Sequence, residues 1–230
     1  MKTKTKAKAK QDRRRSRNKH KDRDRSRKKQ GTEDRRSKDM RVIAGSKKGR
    51  KLIGPDRDSR IRPMRDMVRA ALFNILRELI PGSRFLDLFA GTGSVGIEAL
   101  SRGAQHATFA DSAPQAVRLI RNNLNRLGLT GQAELYEMDV LQAIARFDRQ
   151  GCRFDLIFIG PPYGRRLAGR TLHRLTRTRI LAEGGVVTAE IFKKEHLEER
   201  YGDLRRFDER VYGDNQLIFY GREEQQEVDA

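Results

Sequence analysis

Four carboxylates and three glycines in this 230-residue chain stand where ligand-holding groups would be expected. The run Phe85-Leu-Asp-Leu-Phe-Ala-Gly-Thr-Gly-Ser-Val-Gly96 sets Gly91, Gly93 and Gly96 in a G-x-G-x-x-G pattern. Such spacing permits a tight turn, close backbone approach to a ligand and exposed amides at a helix start. It serves a dinucleotide and other nucleotide-like cofactors equally, and no Lys-Ser/Thr follows to build a phosphate-cradling loop. Asp87 favours the second kind. A carboxylate there repels a pyrophosphate and suits a ligand with a cationic or amino group. Asp111 follows about twenty positions after the turn, where an acidic side chain accepts from a ribose diol. Asp139 has two readings, an acceptor for an adenine amino group or a helix cap.

A second group of residues suits a base rather than a cofactor. Gly160-Pro161-Pro162-Tyr163 closes an apolar run. The prolines withhold amide donors and leave carbonyl acceptors beside an aromatic ring, a rigid loop able to grip a flat base and its exocyclic amine. Glu190 ends another apolar run. Cys152 and the four histidines (His20, His106, His173, His196) share no ligand spacing, so no metal site is expected. A single cysteine also excludes a disulfide scaffold, and the default compartment is reducing, the cytoplasm.

These residues need a scaffold. From Ser83 onward, apolar runs at 84–89, 106–111, 132–138, 154–159 and 185–191 alternate with helical patterns at 94–102, 113–128, 140–147 and 166–181. That rhythm predicts an α/β fold, a wound sheet of five parallel strands with helices on both faces. Extended segments at 204–211 and 216–221 flank Tyr212-Gly-Asp-Asn215, which predicts a closing antiparallel hairpin. In such sheets ligands bind at the carboxyl ends of the strands, where all the residues above are expected. Upstream, Arg41-Val-Ile-Ala-Gly and Arg50-Lys-Leu-Ile53 flank a turn and predict a basic β-hairpin. Met64, Met67, Val68, Ala71, Leu72, Ile75, Leu76 and Leu79 recur at helical spacing before Pro81-Gly82.

The formal net charge is +20, of which residues 1–40 carry +13. Those forty residues hold only Met1, Ala7, Ala9 and Met40 as apolar side chains and no aromatic. They cannot offset their backbone entropy by burial and are expected to be a disordered basic tail. Without an apolar stretch the tail is no secretory signal, and its acidic residues argue against a mitochondrial presequence. A nucleic-acid arm and a solvated charge run are its two readings, with Met40 a second candidate start. No run of about 18 apolar residues exists to cross a membrane. The expected organisation is a tail at 1–40, a hairpin-and-helix extension at 41–82, a cofactor-binding domain at 83–222 and a short end at 223–230.

Together these segments resemble S-adenosylmethionine-dependent amino-methyltransferases, and more closely the RsmD-type family of bacterial 16S ribosomal RNA guanine-N2 methyltransferases. The likeness covers roughly 41–222. Its pieces are the basic hairpin, Arg62-Pro63 with Asp66, Val68-Arg69 and Leu72-Phe73-Asn74, the cofactor loop, Gly96-Ile-Glu-Ala-Leu-Ser-Arg102, and Pro-Pro-Tyr after the fourth strand. The resemblance implies a Rossmann-like, seven-stranded class I methyltransferase sheet. It implies S-adenosyl-L-methionine held by Asp87, Phe89, Ala90, Gly91, Thr92 and Gly93 at its methionine end, Asp111 at the ribose and Asp139 at the adenine. Tyr163 would stack on the target guanine. The family reads Asp-Pro-Pro where this chain has Gly160, and Thr and Glu where it has Met64 and Ala70. Glu190 is the candidate to replace the missing acceptor. Arg41, Lys47, Lys48, Arg50, Lys51, Arg62, Arg165 and Arg166 would contact RNA. The expected partner is ribosomal RNA or a small-subunit assembly particle, approached by a monomer. The alternatives are a catalytically impaired homologue that acts in ribosome assembly, an amino-methyltransferase for another RNA or DNA base, and a nicotinamide oxidoreductase.

Overall fold

The computed structural model describes residues 40–56, 59, 61–164 and 166–223. The expectations for 1–39, Arg165 and 224–230 lie outside them. The strands are β1 (Arg84–Leu88), β2 (His106–Asp111), β3 (Ala133–Glu137), β4 (Phe154–Ile159), β5 (Leu181–Phe192), β6 (Arg200–Tyr201), β7 (Leu204–Tyr212) and β8 (Asn215–Arg222). The helices are α1 (Asp66–Ile75), α2 (Ser94–Ser101), α3 (Pro114–Leu127), α4 (Val140–Arg149) and α5 (Leu167–Leu175).

All eight strands form one sheet in the order β3-β2-β1-β4-β5-β8-β7-β6. The first five are parallel, and β8 and β7 join antiparallel as expected. The two-residue β6 was not expected, because so short a piece carries no readable period. The central strands are buried on both faces, which is why they read as near-continuous apolar runs. Phe85, Phe109, Phe158 and Phe219 face α1, α2 and α3. Leu86, Leu88, Ile157 and Ile218 face α4 and α5. At the rims of the sheet, β3 carries Glu134 and Glu137, and β6, which consists of Arg200 and Tyr201, covers only Leu204 and Arg205 of β7.

Three expected elements are revised. β5 starts at Leu181, because Gly184 and Gly185 sit inside a bulged stretch rather than before the strand. α5 stops at Leu175, where the hydroxyls of Thr176 and Thr178 bond back to the carbonyls of His173 and Leu175. α1 is shorter than its apolar periodicity. It buries Val68, Leu72 and Phe73 but leaves Met67, Ile75 and Leu79 exposed.

The segment before α1 is bound tightly to the sheet domain. Its hairpin has one bridge, Arg41 to Lys51, closed by amide bonds such as Val42 N–H to Arg50 O at 3.0 Å. The buried Glu98 on α2 accepts from the Ile43 and Ala44 amides at 2.8 and 2.9 Å and pairs with Arg102 at 2.8 Å. Gly45 approaches the end of α2 so closely that a Cβ would stand 1.8 Å from the Ser101 carbonyl oxygen. On α3, the buried Asn123 accepts from the Ile53 amide at 2.7 Å and donates to its carbonyl at 3.0 Å. Met40, Val42, Leu52 and Met64 complete the same core as α1 and α2. Among the described residues no helix is long and apolar enough to cross a membrane.

Candidate active site

Strand order reverses between β1 and β4, and a crevice opens at the carboxyl ends of this pair. The turn after β1 forms one wall. Phe89 holds a φ of +62°, a left-handed conformation that costs a non-glycine residue about 1 kcal/mol or more. The Ala90 amide donates to Ala110 O at 3.2 Å, and the Gly93 amide returns to Ala90 O at 2.7 Å. Gly91 and Gly93 both have positive φ. A Cβ on Gly93 would meet Ile120 at 2.9 Å, and one on Gly96 would meet the Phe109 ring at 2.3 Å. Gly96 therefore serves the packing of α2 on β2, while Gly91 and Gly93 shape the turn. Thr92 is buried, with its carbonyl 3.4 Å from the Asn123 amide nitrogen.

Two carboxylates support this turn. Asp87 is buried and accepts from the Gly96 amide at 2.9 Å through Oδ2, while its Oδ1 has no partner among the described residues. Burial pushes its carboxyl up to about 8; the Gly96 amide holds it back, and nearby Asp111 pushes it further. Asp111 accepts from the Gly91 amide through Oδ2 and from the Ala113 amide through Oδ1, both at 2.9 Å. It ties the glycine turn to the start of α3 and keeps further lone pairs for a ligand. Asp139 caps α4, accepting from the Leu141 and Gln142 amides at 2.8 and 3.3 Å. Of its two readings, the cap is the one seen.

The opposite wall follows β4. The Gly160 amide donates to Leu88 O at 3.2 Å, and Pro161, Pro162 and Tyr163 lead away from the strand. A Cβ at Gly160 would lie 2.8 Å from the Phe158 ring. Ile159 pairs with Ala189, so Gly160 and Glu190 stand level on neighbouring strands. Glu190 follows Thr188 on the strand face that Phe158 shares, so its carboxylate projects on the side of the missing side chain. It is buried and accepts from Asn215 Nδ2, which also bonds the Tyr163 hydroxyl at 2.6 Å. Burial pushes the Glu190 carboxyl up to about 7, against the Asn215 and Tyr163 hydrogen bonds and the Arg65 charge. Burial and the Glu190 charge push the Tyr163 hydroxyl up to about 12, against the Asn215 hydrogen bond and the Arg65 and Arg62 charges. The Tyr163 ring leans on Phe192 at 5.9 Å and remains partly exposed.

Asn215 and Arg65 were not anticipated. Asn215 reads as a turn residue, yet β8 pairs Leu217 with Glu190 and so brings Asn215 diagonally beside it. Arg65 reads as a helix-start residue, yet its guanidinium lies 3.8 Å from the position of a Cβ at Gly213 in the β7–β8 turn. The loop before α1 spans both walls. Ile61 packs over Gly91, and Arg62 and Arg65 act electrostatically on Tyr163. Met64 is a core residue, and Ala70 is half-buried in α1.

The basic residues divide. Arg62 and Arg166 are exposed, Arg62 close enough to act on Tyr163 and Arg166 with a φ of +52° at the start of α5. Lys47 and Lys48 sit at the hairpin tip beside the far end of α2, about 12 Å of helix from the glycine turn. Arg41, Arg50 and Lys51 lie along the hairpin and are exposed. Asp155 is at the opposite end of β4, paired with Arg84 at 2.9 Å. Among the described residues no group of three potential ligands is placed to hold a metal ion.

Comparison with known proteins agrees with this arrangement over almost all of the described chain. The Bacillus subtilis (strain 168) protein YlbH is 38% identical over 181 residues, covering 79% of this chain and 98% of its own. The Escherichia coli (strain K12) ribosomal RNA small subunit methyltransferase D is 32% identical over 191 residues, covering 83% and 94%. Among solved structures, the Escherichia coli protein yhhF matches with a TM-score of 0.71 at 31% identity, covering 80% of this chain and 98% of its own. The family described as conserved hypothetical protein 95 matches residues 40–221. With the wound sheet, the glycine turn and the Pro-Pro-Tyr loop all within that span, the chain belongs to this family, the RsmD-type family its sequence resembles.

Proposed function

We propose that the chain is an S-adenosylmethionine-dependent methyltransferase that modifies the exocyclic N2 of a guanine in small-subunit (16S) ribosomal RNA. The observation that carries this reading is the pairing of two unlike walls across one crevice. One is an amide-lined turn with an unpartnered buried carboxylate oxygen. The other is an aromatic ring beside a buried carboxylate. The name of the Escherichia coli relative supports the substrate class. The reading puts the chain with ribosomal RNA in the cytoplasm.

The turn residues fit the cofactor. Asp87 Oδ1 is an orphan acceptor for a positive group, Gly91 shapes the turn through its positive φ, and Asp111 keeps lone pairs for the ribose hydroxyls. Phe89, Ala90, Thr92 and Gly93 would complete that wall; Asp139 caps α4 through Oδ1, and its other oxygen is the one that would be left for the adenine amine. When bound, the cofactor supplies a methyl group made electrophilic by its sulfonium sulfur.

The chain's own residues prepare the acceptor. A guanine amine is a poor nucleophile because its lone pair is delocalised into the ring. Tyr163 stacks on the base and fixes the amine in line, which removes an entropy barrier. The carbonyls of Gly160 and Pro161 and the carboxylate of Glu190 accept from the amine hydrogens as nitrogen becomes positive. A carboxyl near 7 also takes the released proton and passes it to water at neutral pH. A carboxylate complements the adjacent N1–H and N2–H donors of guanine, whereas adenine offers an acceptor at N1. A second reading, an RNA-binding homologue with slow turnover, is favoured by Gly160 alone.

Purified chain, cofactor labelled in its methyl group, and 16S rRNA or small subunits test both. Nucleoside analysis is expected to place the label in N2-methylguanosine. Label in another base refutes the substrate reading, and no label above background favours the second one.

A further inference from the structure

The positive charge of the described chain is unevenly neutralised. On the β6–β7–β8 side, Arg200, Arg205, Arg206, Arg210 and Arg222 each lie 3.2 Å or less from a carboxylate. The opposite end of the sheet, where α3 packs on β2 and β3, differs. α3 contains three arginines and no acidic residue. Its apolar positions Val117, Ile120, Leu124 and Leu127 are buried, so Arg118, Arg121 and Arg126 project into solvent. None of the three forms an ion pair with another described residue. Asn122 and Asn125, both exposed, lie between them and add donors and acceptors without negative charge.

This face is joined to the basic hairpin. Asn123 holds both backbone groups of Ile53, two residues after the exposed Lys51. Arg126 is three residues along from Asn123 and so one turn away on the same side of the helix. At its other end α3 begins beside Asp111, at the ribose end of the crevice. The three arginines therefore lie on a helix that is tied to the hairpin at Asn123 and begins beside Asp111 at the candidate active site.

We propose that the solvent face of α3, through Arg118, Arg121 and Arg126, binds the RNA phosphate backbone as one surface with the hairpin. The inference rests on the RNA reading above and adds to it a second element. The hairpin grips RNA at a distance from the crevice, and α3 bridges the gap. The chemistry is guanidinium to phosphate, which gives affinity and register without reading sequence. A strand of RNA lying there displaces counterions in proportion to the phosphates it presents.

The test measures binding of the full chain to in vitro transcribed 16S rRNA across a salt series. The triple variant R118Q/R121Q/R126Q is compared with R149Q/R177Q/R179Q, which removes three exposed charges from the other face. Thermal unfolding and cofactor affinity check that each variant is folded. The expected result is a slope of log K against log salt shallower by about 2 to 3 for the α3 variant, at about 0.7 to 0.9 per lost contact. KM for RNA should rise with kcat retained, and the comparator should keep the wild-type slope. Equal loss in both variants overturns the inference in favour of diffuse charge, and no loss in either overturns it outright. A wild-type chain whose binding is indifferent to salt overturns the RNA reading itself.

Discussion

Replacing Glu190 by Gln should make the protein more stable at alkaline pH and a worse catalyst. The carboxyl is moved from its ordinary 4.5 to about 7, chiefly by burial. That difference corresponds to about 3 kcal/mol between the two protonation states. The folded chain holds the proton to a higher pH than the unfolded chain does. Between pH 4.5 and about 7 the folded state thus binds more protons, and stability falls as pH rises. The penalty is nearly absent near pH 4.5 and complete above pH 8. Gln has no charge to bury, but it gives up one hydrogen bond within the Tyr163–Asn215 cluster, worth about 1 kcal/mol. The variant should therefore be about 1 kcal/mol less stable than wild type near pH 4.5 and about 2 kcal/mol more stable at pH 8. At roughly 2–4 °C per kcal/mol for a domain of this size, Tm should rise by about 4–8 °C at pH 8. Asp87 also titrates in this range, yet it is common to both proteins and cancels in the difference. Methyl transfer should fall by about a hundredfold, the cost of losing one preorganised polar group at a developing charge. Differential scanning fluorimetry over pH 4.5–8.5 and single-turnover methylation read the two effects. A Tm difference that does not change with pH, together with a wild-type rate, would falsify the assignment of Glu190 as a strained, working carboxylate.

Asp87→Asn should weaken cofactor binding and flatten its pH dependence. A sulfonium cation favours the ionised carboxylate, so wild-type affinity should increase as pH rises toward about 8, with a proton released on binding. Calorimetry in two buffers of different ionisation heat measures that proton, and an equal release by the variant would assign it elsewhere. Gly96→Ala should cost about 1–3 kcal/mol by overpacking, because its methyl would meet the buried Phe109 ring at 2.3 Å. Urea unfolding with an unchanged midpoint would show that α2 shifts on β2 freely.

The turn after β1 was legible in the sequence because its parts are local. Asp87, the glycines and Asp111 fall within 25 residues, and each glycine occupies a place that a larger residue cannot fill or strains to adopt. Five apolar runs alternating with four helical patterns likewise declared the wound sheet. The opposite wall of the crevice was only half legible. Tyr163 and Glu190 stood at recognisable strand ends, but Asn215 joins them from 52 and 25 residues away. Nothing in Tyr212-Gly-Asp-Asn215 distinguishes a side chain that turns inward from one that serves the turn. The bulge at Gly184 and Gly185 was hidden for a similar reason. A glycine pair reads as a break, and only the pairing of β4 with β5 on both sides of it shows the strand continuing. Asp139 shows the limit of position alone: a carboxylate at a strand end serves a ligand and caps a helix with equal ease.

The rims of the sheet bear on how the molecule fares in crowded surroundings. A long, flat, apolar border would offer its unpaired amides and carbonyls to any passing chain. Here one border is five residues interrupted by glutamates, and the other is the two-residue β6 followed by the part of β7 that β6 leaves uncovered, where Asp208, Glu209 and Arg210 stand between the exposed Phe207 and Val211. A neighbour approaching edge-on meets charged side chains on both borders and a bulge between Arg206 and Asp208 on β7, devices that oppose strand-by-strand growth into fibres.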